Sequence, residues 1–94
     1  MADVIRKRIT FHGWVQGVGF RYRACHAADH FGCTGFVWNA WDGSVGMEIQ
    51  GTETAIDQVI LTIGQGTFVR IESMDCKTIP VIDGEHSFRI RAED

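Results

Sequence analysis

The spacing of apolar residues switches back and forth between two and about 3.6 along this chain, and that order of periods limits the possible folds more than any other feature. Ile5, Lys7, Ile9 and Phe11 alternate with Arg6, Arg8, Thr10 and His12. This is a half-buried strand with a lysine on its apolar side, ending near Trp14 or Val15. From Phe20 onward the apolar positions are Ala24, Ala27, Ala28 and Phe31, one face of a helix, and Gly32 stands where a C-terminal cap would. Segments 34–40 and 44–50 flank Trp41-Asp42-Gly43, and Val45, Met47 and Ile49 alternate with Gly46 and Glu48, which predicts a β-hairpin turning at Asp-Gly. Thr52 is placed to cap a second helix with the stripe Ile56, Val59, Ile60 and Ile63, stopped by Gly64 and Gly66. Val69, Ile71 and Ser73 alternate with Arg70, Glu72 and Met74 in a fourth strand. A turn at Asp83-Gly84 leads to a fifth, with Phe88 and Ile90 facing in and Arg89 and Arg91 out.

Strand, helix, strand, strand, helix, strand, joined by right-handed crossovers, predicts an α+β fold. The expected architecture is the ferredoxin-like split βαβ (βαββαβ), a four-stranded antiparallel sheet with two helices on one face, its edge lengthened by a hairpin at 83–84. No linker, repeat or low-complexity stretch divides the 94 residues, so residues 1–94 are read as one domain. A formal net charge of −3 argues against nucleic-acid binding, which draws on surplus lysine and arginine. Cys25, Cys33 and Cys76 are odd in number and lack short paired spacing, as expected of reduced thiols in a cytoplasmic protein. No apolar run reaches the length of a membrane span and the start lacks a signal-peptide pattern, so no membrane association is expected.

This architecture hosts many unrelated functions, so chemistry must come from a site. The segment Gly13-Trp14-Val15-Gln16-Gly17-Val18-Gly19-Phe20-Arg21 joins a strand to a helix. Free N–H groups at a helix start and in a glycine-rich turn can form a concave anion nest, and Arg21 can fold over it with bidentate hydrogen bonds. The glycine spacing fits neither a nucleotide P-loop nor a dinucleotide fingerprint. By spacing alone, a plain glycine-rich connector is the favoured reading of the loop, as an ordinary turn asparagine is of Asn39.

The segment Gly13-x-Val15-Gln16-Gly17-Val18-Gly19-Phe20-Arg21 resembles the first signature of the acylphosphatase family, and Gly35-Phe36-Val37-Trp38-Asn39 resembles the second. The likeness continues through Asp42-Gly43, the second amphipathic helix and Phe88-Arg89-Ile90-Arg91, so that 1–94 is expected to be an acylphosphatase-like domain. The resemblance implies a hydrolase that cleaves acyl phosphates to carboxylate and inorganic phosphate. It assigns phosphate binding to Val15, Gln16, Gly17, Val18, Gly19, Phe20 and Arg21, and the holding of the attacking water to Asn39. It implies no metal, no cofactor, inorganic phosphate as product and inhibitor, and a monomer.

Two positions depart from the family pattern: Trp14 and Trp38 stand where members commonly carry basic residues. They are expected either to line the site mouth and select an apolar acyl group or to pack on the uncovered face of the sheet. The segment Gly64-Gln65-Gly66-Thr67-Phe68 is shorter than usual and lacks the family's proline. His26 and His30, four apart on the first helix, fall on its solvent side without the cysteine pair or acid that would complete a zinc site. An anion-binding module without turnover, an RNA-binding sheet and one domain of a larger carbamoyl-transferring enzyme are the competing readings. The RNA reading lacks its Gly-aromatic signature.

Overall fold

The computed structural model describes residues 3–92. Its elements are β1 (Val4–Trp14), α1 (Phe20–Phe31), β2 (Thr34–Asn39), β3 (Val45–Thr52), α2 (Glu53–Gly64), β4 (Arg70–Ile79) and β5 (Phe88–Ile90). The sheet runs β4-β1-β3-β2-β5. β1 to β4 are mutually antiparallel where they pair, and β5 adds parallel to β2. The ferredoxin-like α+β expectation therefore holds, with a short fifth strand added at one edge.

The core lies between the sheet and the two helices. Ile9, Phe11, Val37, Val45, Met47 and Ile49 from the strands meet Ala24, Ala27 and Ala28 of α1 and Ile56, Val59 and Ile63 of α2, all buried. Each fully buried Ile, Val or Phe contributes about 1.5–3 kcal/mol. The three alanines let the α1 backbone lie close to the sheet. Both helix ends read from sequence are present: Gly32 is left-handed at φ 72°, and Thr52 accepts from Ala55 N–H at 3.1 Å.

The hairpin expected at 83–84 does not form. Gly84 does turn, at φ 79°, but β4 and β5 occupy opposite edges, and residues 80–87 cross the helix-free face between them. The cause is Arg6, which points to that face and is completely buried. Its guanidinium takes both oxygens of Glu85, at 2.7 and 3.2 Å, together with Glu48 and Gln50. Gln50 in turn pairs with the backbone N–H and carbonyl of Ile82, both at 2.9 Å. A tight hairpin would remove Glu85 and leave a buried charge without its bidentate partner. Burial alone would raise the Glu85 carboxyl, but hydrogen bonds from Arg6 and Thr34 and the Arg6 charge outweigh it, and the group ends below the usual range. Phe88 faces in as expected, whereas Ile90 lies exposed.

The fourth strand also departs from simple alternation. Its register against β1 shifts between His12 and Gly13, so Ile71 turns to the core while Ser73 pairs with His12 on the opposite face. Gly13 makes the shift possible: at φ 130°, a Cβ there would lie 2.2 Å from the Arg70 carbonyl oxygen.

Candidate functional site

β1 and β2 both run antiparallel to β3, so they end at the same end of the sheet. The loop 15–19 follows β1 there, and Asn39 closes β2. Two buried side chains fix the loop at either end: Val15 enters the core, and Phe20 packs its ring 4.9 Å from that of Phe11. Between them Gly17 and Gly19 hold left-handed φ of 72° and 81°, and Val18 packs partly against the core. Gly19 is the N-cap of α1 and has no side chain to satisfy the first-turn N–H groups; that turn carries no acidic residue. Arg21 lies in the same turn, half-buried, and belongs to no ion pair among the described residues.

Gln16 brings the two signatures together. Its amide nitrogen donates to the carbonyls of Ala40 at 2.7 Å and Ser44 at 2.8 Å, spending both protons on the β2–β3 turn. That turn is closed by Ala40 N–H to Ser44 O at 2.9 Å and by Asp42, whose carboxylate accepts from Ser44 N–H and Oγ. The Ser44 bonds hold the Asp42 carboxyl below its usual range. Asn39 therefore enters a braced corner beside the loop, on the same face as Val37 and the helices. It is 7 % exposed, and its Oδ1 is buried without a hydrogen-bond partner, at a cost of about 1–3 kcal/mol.

Trp38 points away from this corner. It packs across Gly46 on the helix-free face, where a Cβ would lie 2.2 Å from its ring, with the Arg8 guanidinium 5.0 Å above it and Phe36 5.5 Å beside it. Of the two readings of Trp38, the packing one holds. Trp14 is exposed opposite Arg70, in a groove with Thr67 and Phe68. Burial pushes the Cys33 thiol up to about 11, and burial, helped by Asp29, raises Cys25.

Sequence reasoning did not anticipate the bracing role of the Gln16 side chain, because a glutamine inside a glycine loop has many possible partners. It passed over Arg23 altogether. That side chain crosses from α1 to donate to Thr62 O at 3.1 Å.

The fold and this corner together define a two-layer α+β domain in which a glycine-rich loop leads from the first strand into a helix start. The family model described as Acylphosphatase matches residues 7–90. The acylphosphatase of Clostridium acetobutylicum is 43 % identical over 86 residues, covering 90 % of this chain and 94 % of that protein. The crystal structure of acylphosphatase from Bacillus subtilis superimposes with a TM-score of 0.84 at 32 % identity, over 93 % of this chain and 98 % of that one. Full-length HypF in a phosphate- and nucleotide-bound form matches all of this chain with 13 % of its own length, at a TM-score of 0.85 and 26 % identity. The chain belongs to the acylphosphatase family, and its activity is the hydrolysis of acyl phosphates.

Proposed function

We propose that the backbone N–H groups of residues 15–20 and the Arg21 guanidinium bind the phosphoryl group, and that Asn39 holds the water that attacks it. The observation that carries this division is the unpartnered Asn39 oxygen, buried in a corner that Gln16 ties to the glycine loop. A neutral amide oxygen accepts a hydrogen bond from the water without the repulsion that a carboxylate would exert on a phosphate dianion.

In the proposed reaction the water oxygen attacks phosphorus, the bond from phosphorus to the acyl oxygen breaks, and the electron pair leaves with the carboxylate. The leaving acid has a pKa of roughly 4, like Asp and Glu side chains, so no general acid is needed. The water's proton passes to a phosphate oxygen of the substrate. The protein contributes positioning and stabilisation of charge on the equatorial oxygens. This chemistry asks for no metal or cofactor. We read the protein as a cytoplasmic monomer acting on small acyl phosphates, inhibited by inorganic phosphate and without a nucleic-acid partner. The test is hydrolysis of benzoyl phosphate by the purified protein in EDTA. Turnover that phosphate inhibits competitively is expected; activity that EDTA abolishes would overturn the metal-free mechanism.

A further inference from the structure

Arg23 is joined to both halves of the helix layer. Its backbone N–H makes the first helical hydrogen bond of α1, to Gly19 O at 3.1 Å, which turns the last carbonyl of the glycine loop into the helix and away from the loop's N–H groups. Its side chain runs the other way, across the end of α2. The Nη2 donates to Thr62 O in the last turn of α2, and the Cδ and Nε lie so close over Gly66 that a Cβ there would stand 2.8 and 2.9 Å from them. The last turn of α2 has no basic residue of its own, so the guanidinium is also the cation that this negative helix end attracts. Arg23 Nε is buried there with no partner, an unfavourable placement that the packing over Gly66 has to offset.

Arg21 and Arg23 are two residues apart, about 200° around the helix, so the side chains leave α1 on nearly opposite sides. One can face an anion at the helix start while the other fastens the same turn to α2. We infer that Arg23 is a positioning residue for phosphate binding: its tether to Thr62 across Gly66 fixes the first turn of α1, and so the aim of Arg21 and of the loop's N–H groups. The inference rests on the phosphate-binding reading of the loop given above. Loosening the tether lets the first turn shift while leaving Asn39 and its corner in place, so the loss falls on binding rather than on the chemical step.

The experiment compares wild type with Arg23→Ala, Arg23→Lys and Gly66→Ala, measuring inorganic phosphate affinity by calorimetry and KM and kcat with benzoyl phosphate. Thermal melts confirm that each variant is folded at the assay temperature. Arg23→Ala is expected to raise the phosphate Kd and KM about tenfold while kcat changes less than about twofold, and Arg23→Lys to recover most of that loss. Gly66→Ala removes no charge but displaces the Cδ and Nε, together with Val69 Cγ2, which a Cβ would meet at 2.9 Å, and is expected to raise the same Kd about threefold. Unchanged phosphate affinity in folded Arg23→Ala would overturn the inference; should that variant fail to fold, unchanged affinity in folded Gly66→Ala would do so. A wild type that binds no phosphate would instead remove the underlying reading of the loop. Phosphate binding that needs Arg21 but is indifferent to Arg23 and Gly66 would remove only the tether.

Discussion

The Gln16 side-chain amide lies 2.7 Å from the Ala40 carbonyl, crossing from the loop after β1 to the turn after β2. Through this bond and its companion to Ser44, spanning 24 and 28 residues of sequence, the glycine loop and the turn that follows the second signature share one corner. Replacing Gln16 with alanine deletes both bonds and leaves the Ala40 and Ser44 carbonyls with their backbone donors alone, Gly43 N–H and Ala40 N–H. We expect a stability loss of about 1–2 kcal/mol in urea unfolding. Because loop and turn are then free to separate, kcat/KM for an acyl phosphate should also fall, by roughly tenfold or more. Wild-type kinetics in Gln16→Ala would show that the brace is dispensable.

The Arg6–Glu85 pair secures the strap that replaces the expected hairpin. Arg6 is fully buried and the Glu85 side chain is 18 % exposed, so deleting Glu85 leaves a buried cation short of its bidentate partner. Glu85→Ala should cost about 3 kcal/mol.

The same pair sets an acid limit. Glu85 titrates below its ordinary value of 4.5 in the folded protein, so its contribution to stability is fully present above that value and is lost as pH falls through the lowered folded value. Arg6 is shifted the other way: burial lowers it, but Glu85 and Glu48 outweigh burial and raise it, so it stays charged throughout the acid range. Urea midpoints measured from neutral pH down through the carboxylate range should fall more steeply for wild type than for Glu85→Gln. Parallel curves would contradict the linkage.

Trp38 should matter to stability and not to substrate choice. Its ring covers Gly46 beneath the Arg8 guanidinium, on the face opposite Asn39. Trp38→Ala should destabilise by about 2–3 kcal/mol. The ratio of kcat/KM for benzoyl phosphate over acetyl phosphate should stay at the wild-type value. A changed ratio would place the ring within reach of the acyl group.

Much of this molecule could be read from its residues, because local chemistry and global fold agree. Gly32, Thr52 and Asp42-Gly43 each carry the side chain or backbone freedom that their turn or cap requires, and the alanine face of α1 could bury in only one direction. What escaped was decided by partners distant in sequence. Arg6 looked like the polar half of an alternating strand, and nothing local indicated that Glu85 would cover it and carry β5 to the far edge. The register shift opposite Gly13 was similarly hidden, since a bulge needs two strands. At the site, the signatures named Arg21 and Asn39, but the Gln16 brace and the Arg23 tether are contacts with α2 or the β2–β3 turn that no spacing within the loop encodes.

The central claim is the separation of roles between Arg21 and Asn39. Its most direct test measures the phosphate dissociation constant and the benzoyl phosphate kcat, side by side, for wild type, Arg21→Ala and Asn39→Ala. The account predicts that Arg21→Ala abolishes measurable phosphate binding, whereas Asn39→Ala keeps nearly wild-type phosphate affinity and loses roughly 10²-fold or more in kcat. Equal loss of phosphate affinity in the two variants would contradict it.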